Sequence, residues 1–348
     1  MRIDHTGSKP NAERFEADAL CFEPSRGGRI PPLAFDYGCY PLAPSRSRGC
    51  QRHGTHRPAW GEIGRIRIRA TYRSSIWRLF RMSHYDVPDA LEVLIDGPVR
   101  VVHLNRPDDL NATNHELHQG LAELFPQIDA DADARAVVLT GNGRAFSAGG
   151  DFNYLDELIR DAALRKESLT HGRQIVTGMS GCRVPIVAAV NGPAVGLGCS
   201  LVALSDIVFM AESTHLADPH VLLGLVAADG GPVTWPLMMS LQLAKEYALT
   251  GDQIPAKRAA EIGLVNHVCP DDEVLDQALA CAHRIAKLPQ RAVEDTKRII
   301  NMHLERAILA TLDFALSAED RSFTSPELRA NVDRLQMRAA EKGNKPTT

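Results

Sequence analysis

A histidine and an aspartate nine residues apart are the strongest candidates for acid–base chemistry. His220 and Asp229 stand in the segment Asp218-Pro-His-Val-Leu-Leu-Gly-Leu-Val-Ala-Ala-Asp-Gly-Gly231. An imidazole needs little tuning to act as an acid or a base at neutral pH, and a nearby carboxylate can orient it or act itself. A structural interpretation competes with this one: His220 is then a satisfied loop histidine, and Asp229 is a turn former.

Two glycine-containing loops could present backbone N–H groups to a negatively charged oxygen. The first is Arg144-Ala-Phe-Ser-Ala-Gly-Gly-Asp151, and the second is Asn191-Gly-Pro-Ala-Val-Gly-Leu-Gly-Cys-Ser200. Each follows a predicted strand and enters a helix. Free N–H groups that converge from two such turns form a hole for a developing oxyanion. Either loop alone is weak evidence, because such glycines often serve only tight packing.

The elements that must position these loops follow an α/β pattern. Alternating apolar residues around Asp96-Gly97-Pro98 predict a hairpin over 91–96 and 99–104, and apolar runs predict strands over 136–140, 186–190 and 207–210. We predict a helix that Asn111 caps and that ends near Phe125, before Pro126. After about Pro236 the pattern is helical almost throughout, with helices over 241–249, 256–262, 273–288 and 292–316.

Composition excludes several classes of protein. The 348 residues carry a net charge of −4, which gives no electrostatic reason for binding nucleic acid or a membrane surface. An apolar content of 44% is too high for a disordered chain, and the seven cysteines form no C-x-x-C pair. The uncharged stretch Val184 to Ser205 contains prolines and glycines that favour a buried core over a membrane span. We therefore expect a soluble, cytoplasmic enzyme.

The first 81 residues differ from the rest of the chain. They carry 15 basic and 7 acidic side chains and show no sustained helical or strand period. Three hypotheses compete: a disordered extension, a targeting peptide, and upstream sequence included ahead of a true start at Met82. The last is favoured, and residues 1–81 should then be dispensable. We predict a core over 82–236 and a helical region over 237–348.

Several segments, in one order, resemble the crotonase (enoyl-CoA hydratase/isomerase) superfamily. The resemblance extends over roughly Leu91 to Leu335. The segments are Asn105-Arg-Pro-Asp-Asp-Leu-Asn-Ala112, Ala145-Phe-Ser-Ala-Gly-Gly-Asp151, Ala189-Val-Asn-Gly-Pro-Ala-Val-Gly-Leu-Gly-Cys199, Leu249-Thr-Gly-Asp-Gln-Ile254 and Ala259-Ala-Glu-Ile-Gly-Leu-Val-Asn266.

The resemblance implies a crotonase-like spiral of ββα units with a C-terminal helical trimerisation region, assembled as a trimer or a dimer of trimers. It also implies an acyl thioester substrate, with coenzyme A as part of the substrate and no metal or redox cofactor. The backbone N–H groups of Gly150 and Leu197 would stabilise the enolate, and Asp151 would cap the following helix. The substrate-binding residues would be Ala148, Gly149, Gly196, Ser200 and Trp235, although Trp235 fits the core equally well.

The departures from the family pattern concern catalysis. Hydratases of the family use two glutamates, and this chain has Ser200 and His220 at those positions. The segment P-H-x-x-x-G-x-V-x-x-D-G instead resembles 6-oxocamphor hydrolase, a superfamily member that cleaves a C–C bond without coenzyme A. Basic residues on the late helices of relatives meet coenzyme A phosphates, and Lys287, Lys297 and Arg298 are the corresponding candidates.

Three functions follow. The leading hypothesis is an enzyme acting on an acyl-CoA thioester, as lyase or isomerase, in which His220 and Asp229 replace the glutamates. The second is a coenzyme A-independent C–C hydrolase of cyclic β-diketones. The third is a catalytically silent scaffold that binds acyl-CoA.

Overall fold

The structure is a computed structural model that describes residues 81–82 and 85–343, and the side chains of residues 85–337. The predictions for residues 1–80 lie outside the described residues. Two sheets are formed by ten strands: β1 Arg81–Met82, β2 Leu91–Asp96, β3 Val99–Leu104, β4 Ala136–Gly141, β5 Ile186–Val190, β6 Ala194–Val195, β7 Ile207–Ala211, β8 His215–Ala217, β9 Ile254–Pro255 and β10 His267–Cys269.

Eleven α-helices connect and cover these strands in the described part of the chain. They are α1 His115–Ala130, α2 Phe152–Arg160, α3 Ala162–Gly181, α4 Leu197–Leu204, α5 His220–Leu223, α6 Gly231–Met238, α7 Leu241–Thr250, α8 Ala256–Glu261, α9 Val274–Ala286, α10 Gln290–Phe323 and α11 Pro326–Gly343. None of these helices combines the length and the apolar character that a bilayer span requires.

The main sheet has seven strands in the order β1-β2-β3-β4-β5-β7-β10. Strands β1 to β3 pair antiparallel, and the remaining pairs are parallel. Side chains alternate between two buried faces: Val102 and Leu139 belong to one apolar cluster, whereas Val101 and Val138 belong to the other. Strands buried on both faces explain the nearly continuous runs of Val, Ile and Ala. The predicted α/β architecture is therefore confirmed.

The parallel part of the sheet brings the two glycine loops together. The first loop follows β4 and the second follows β5, and these strands are neighbours that run in the same direction. The loops then bond to each other, with Ser147 N donating to Pro193 O at 3.1 Å and Val195 N donating to Ser147 O at 2.9 Å. Their adjacency is thus a consequence of strand order.

The first long helix differs from its prediction at both ends. Its N-cap is Asn114, whose side chain accepts from Leu117 N, and not Asn111. Asn111 has φ +55° and bonds through its side chain to Arg106 N and to the carbonyls of Asn142 and Ala145, so it organises a turn. Pro126 lies inside the helix, which continues to Ala130. The helix packs along α3, and this tertiary contact offsets the lost backbone hydrogen bond.

The C-terminal region is more closely joined to the sheet than its helical pattern predicts. Strand β10 pairs in parallel with β7, and β9 pairs antiparallel with β8. Both strands are too short to show a period of two in the sequence. The last predicted helix ends later, at Phe323, and α11 follows it although the sequence pattern did not identify it.

Candidate active site

Each predicted oxyanion donor follows a glycine in the left-handed region. Gly149 has φ +91° and precedes Gly150, and Gly196 has φ +54° and precedes Leu197. A Cβ on Gly149 would lie 3.2 Å from Val195 O, so both conformation and space require glycine there. Among the described residues, neither the Gly150 N–H nor the Leu197 N–H donates a hydrogen bond. An oxyanion hole requires N–H donors that are not already used by the protein. These two donors are unused, and they lie on loops that bond to each other.

Asp151 caps the helix after the first loop, as predicted. Its side chain accepts from Asn153 N at 2.9 Å at the start of α2. Its other oxygen lies 3.2 Å from the guanidinium of Arg106, which also pairs with Asp109 at 2.7 Å. Asp151 therefore anchors the first glycine loop to a helix and to an ion pair.

His220 begins α5 and faces the second oxyanion loop. A Cβ on Gly196 would lie 3.6 Å from Cε1 and 4.0 Å from Nε2 of this imidazole. Its other nitrogen, Nδ1, hydrogen-bonds to Oδ1 of Asp218, whose side chain is 3% exposed. Of the two roles that the sequence left open for a nearby carboxylate, orienting His220 falls to Asp218, and acting itself remains open for Asp229. The sequence held a signal for this pair, since Asp218 stands two residues before His220.

Asp229 is held by Ser200 instead. Ser200 Oγ donates to Asp229 Oδ1 at 2.9 Å. Ser200 is 1% exposed, and neither Ser200 nor Asp229 is part of the wall of the cavity described below. A Cβ on Gly230 would lie 2.5 Å from the Cβ of Ser200, which explains the glycine after Asp229. The serine that replaces a family glutamate thus supports a carboxylate from another segment.

The site holds opposed charges in a buried environment. Burial lowers the pKa of His220, but the charge and hydrogen bond of Asp218 outweigh it and raise the pKa to about 10. Burial raises the pKa of Asp229, and the positive charge of His220 only partly opposes this effect. Burial and the neighbouring Asp229 raise the pKa of Glu319, on α10, to about 8. Glu319 was missed by the sequence analysis, since it lies about 100 residues from His220 in no recognisable motif.

A mainly apolar cavity of about 390 Å³ opens in front of His220. Among the predicted substrate-binding residues, Ala148, Gly149 and Gly196 line it, together with Gly150. Trp235 does not line it: its side chain is 1% exposed and packs in the core, so the core alternative holds for this residue. The remaining wall is formed by Phe152, Leu155, Val195, Pro219, Leu222, Leu223, Leu225, Asn331, Arg334 and Leu335.

The three lysine and arginine candidates for phosphate binding do not meet this cavity. Lys297 is buried, lies 2.7 Å from Asp206 and donates to Val184 O at 2.9 Å. Of the three candidates, Lys297 is therefore held in a structural ion pair. Lys287 and Arg298 are exposed and line no part of the cavity.

A second group of histidines lies on α1 and α3. The ring centroid of His171 lies 5.9 Å from that of His115 and 5.8 Å from that of His118. The ring centroid of Tyr154 lies 5.9 Å from that of His115. Burial, with smaller effects of the two neighbouring histidines, lowers the pKa of His118 to about 3. The described residues contain no group of three or more His, Cys, Asp or Glu side chains placed to hold a metal ion.

Comparison with known proteins identifies the family. Residues 95–344 match the enoyl-CoA hydratase/isomerase family. The chain is 30% identical over 242 residues to the mitochondrial enoyl-CoA hydratase of Pongo abelii, with 69% of this chain and 82% of that protein covered.

Comparison with solved structures indicates the same family. An enoyl-CoA hydratase/isomerase from Mycobacterium paratuberculosis is 61% identical, with a TM-score of 0.71 and coverage of 72% of this chain and 100% of that one. A β-diketone hydrolase from the cyanobacterium Anabaena, bound to (S)-3-oxocyclohexyl acetic acid, is 26% identical, with a TM-score of 0.64 and coverage of 68% and 94%. The chain belongs to the enoyl-CoA hydratase/isomerase family and has the crotonase fold.

Proposed function

We propose that the protein acts on an acyl-CoA thioester whose enolate is stabilised by the backbone N–H groups of Gly150 and Leu197. The observation that carries this proposal is the pair of unused donors, each after a left-handed glycine, beside the His220 imidazole. The carbonyl oxygen would lie between the donors, so that negative charge develops where two N–H dipoles already point.

His220 and Asp229 divide the proton chemistry in this proposal. With its pKa raised, His220 is protonated at neutral pH and acts as the acid that returns a proton to the enolate carbon from Nε2. Asp229 acts as the base, because a carboxyl group with a raised pKa is a stronger base once ionised. Asp218 and Ser200 position these two groups. Addition of water or migration of the double bond would use the same pair.

The oxyanion proposal can be tested at Leu197, the first residue of α4. Proline is well tolerated at the first helical position but has no N–H, so Leu197→Pro removes the donor while the helix is kept. We expect turnover of enoyl-CoA substrates to fall by about 10²–10³-fold, as for loss of one oxyanion donor. Leu197→Met, which keeps the N–H and the apolar volume, is the matched control and should retain turnover. Equal activity of the two variants would exclude this donor.

A second candidate function is hydrolytic C–C cleavage of a cyclic β-diketone. The specific observation in its favour is a second cavity, of about 610 Å³, that shares Ala148, Gly150 and Phe152 with the first. Its wall carries the carboxylates of Asp108, Asp109 and Asp151, with Arg144 as its basic side chain. Because Arg106 pairs with Asp109 and Asp151, this wall offers no cluster of free cations to the phosphates of coenzyme A, whereas an uncharged diketone needs none. The similarity to a β-diketone hydrolase points in the same direction.

Calorimetric titration with acetyl-CoA and free coenzyme A separates the two candidates. Micromolar binding of acetyl-CoA supports the thioester proposal, and the absence of binding together with turnover of a free cyclic diketone supports the hydrolase. Retention of acyl-CoA with no turnover of any substrate would instead indicate a silent scaffold.

A further inference from the structure

The charged side chains that line the cavity in front of His220 are both basic. They are His220 itself and Arg334, and no carboxylate of the described residues belongs to this wall. Most of the remaining surface is leucine, valine, phenylalanine and glycine. A cavity with two cationic groups, apolar walls and no acid favours a ligand with two negative or electron-rich ends.

Arg334 has no partner of its own in the described part of the protein. Its guanidinium takes part in no hydrogen bond or ion pair there. The neighbouring arginine on the same helix, Arg329, instead forms an ion pair with Asp156. An arginine left unpaired at the wall of a mainly apolar cavity is therefore a feature of that cavity and not a general property of helix α11.

The helix that carries Arg334 is fixed against the site on both sides of this residue. Asn331 Nδ2 donates to Leu223 O at 3.0 Å, and Gln336 Nε2 donates to Phe152 O at 3.3 Å. Leu328 and Val332 are fully buried against side chains of α2. The arginine is thus presented from an anchored helix, and its position relative to His220 is set by packing.

We propose that Arg334 binds a carboxylate on the acyl or ring portion of the substrate. The inference rests on the proposed function, in which His220 and the oxyanion donors take the reacting carbonyl. A guanidinium forms two parallel hydrogen bonds to a carboxylate, and the exposed Arg334 offers this pairing at the wall of a mainly apolar cavity. The substrate class is then a monothioester of a short dicarboxylic acid or a cyclic diketone with a carboxylate side chain.

The test measures affinity by calorimetry with two matched pairs of ligands. The first pair is succinyl- and pentanoyl-pantetheine, which are similar in length, differ in the terminal carboxylate and lack the phosphates of coenzyme A. The second pair is 2,2-dimethylcyclohexane-1,3-dione with and without a carboxymethyl group on C5, because the two methyl groups keep the diketone from ionising to an enolate at neutral pH. The variants are Arg334→Gln and Arg334→Lys, and Arg306→Gln on the exposed side of α10 is the control.

We expect the wild-type protein to prefer the carboxylate ligand of at least one pair by tenfold or more. Arg334→Gln should abolish that preference without weakening the uncharged ligand, Arg334→Lys should keep part of it, and Arg306→Gln should keep all of it. If no thioester binds but the diketones do, the thioester function fails while the carboxylate preference is still decided by the second pair.

Three results would overturn the assignment of Arg334. The first is an unchanged carboxylate preference in Arg334→Gln, and the second is no preference in the wild-type protein. The third comes from a parallel titration with succinyl-CoA and pentanoyl-CoA: a loss of affinity in Arg334→Gln for both, with unchanged affinity for both pantetheine thioesters, because the arginine would then bind the nucleotide phosphates.

Discussion

Two histidines of this protein have opposite acid–base properties. His220, whose side chain is 13% exposed, contacts the carboxylate of Asp218, and its pKa is raised to about 10. His118 is buried and packs against His171 and Tyr154, and its pKa is lowered to about 3. Burial lowers the pKa of both rings and is the largest single effect on each. The difference is therefore set by the neighbours: a carboxylate compensates for lost hydration, and other imidazoles do not.

The comparison explains which histidine is suited to chemistry. His118 bonds to Ser168 Oγ at 3.2 Å and contributes to the packing of α1 on α3. His220 stands at a cavity wall with a carboxylate behind it and a free ring edge in front. A histidine that is charged, oriented and next to a ligand cavity can transfer a proton, whereas a neutral buried one stabilises the fold.

Replacement of His220 should have the largest effect on turnover. His220→Ala removes the proton donor but leaves the Gly150 and Leu197 donors and the apolar wall. We expect turnover to fall by about 10²–10⁴-fold, the usual contribution of a positioned acid or base, with affinity within tenfold. Steady-state kinetics and calorimetry measure the two quantities, with His303→Ala on the exposed side of α10 as control. Unchanged turnover would remove the basis for assigning a catalytic role to His220.

Replacement of Asp218 tests the cause of the difference between the two histidines. Asp218→Asn keeps the shape and an oxygen for Nδ1 but removes the charge. We expect the pKa of His220 to fall, because burial is then opposed only by the smaller effects of Asp229 and Glu319, and turnover at pH 8 to fall by about 10–100-fold as imidazolium is lost. Nitrogen-15 NMR of the imidazole and the pH profile of turnover measure these effects. A merely structural role of Asp218 would lower turnover without moving the profile.

Asp218→Asn should also change how the free energy of unfolding depends on pH. Since the folded pKa of His220 lies above the unfolded value, its contribution is fully present below pH 6.5 and is lost as the pH rises through about 10. Denaturant unfolding between pH 7 and pH 10 should therefore show an alkaline loss in the wild-type protein that is smaller in Asp218→Asn. Asp229→Asn should reduce this alkaline loss of stability by less than Asp218→Asn does, because Asp229 raises the pKa of His220 less than Asp218 does.

Sequence reasoning located the two glycine loops because strand order, glycine spacing and family resemblance all concern local segments. The same holds for the hairpin, the central strands and the Asp151 cap. The partner of His220 was missed because hydrogen bonding depends on side-chain direction, and Asp218 reaches Nδ1 across Pro219 while Asp229 turns to Ser200. Glu319 and Arg334 were missed because long helices bring them to the site from about 100 residues away.

The smallest expected effect concerns the acid stability of the histidine group. Since the folded pKa of His118 lies below the unfolded value, its contribution is present above pH 6.5 and is lost as the pH falls toward 3. The loss is at most about 1.4 kcal/mol per pH unit for one such group. His171 and the nearby Glu123 and Glu167 are the other titrating groups that face this cluster, and the pKa of His171 is also lowered by burial.

His118→Asn isolates this contribution, because asparagine can keep the contact with Ser168 but does not titrate. We expect the free energy of unfolding to decrease less between pH 6.5 and pH 5 in His118→Asn than in the wild-type protein. His303→Asn, at an exposed position, should leave the wild-type pH dependence unchanged. An identical acid loss in His118→Asn would mean that the ring is charged or accessible at pH 5, and the contrast with His220 would then no longer depend on the neighbours of each ring.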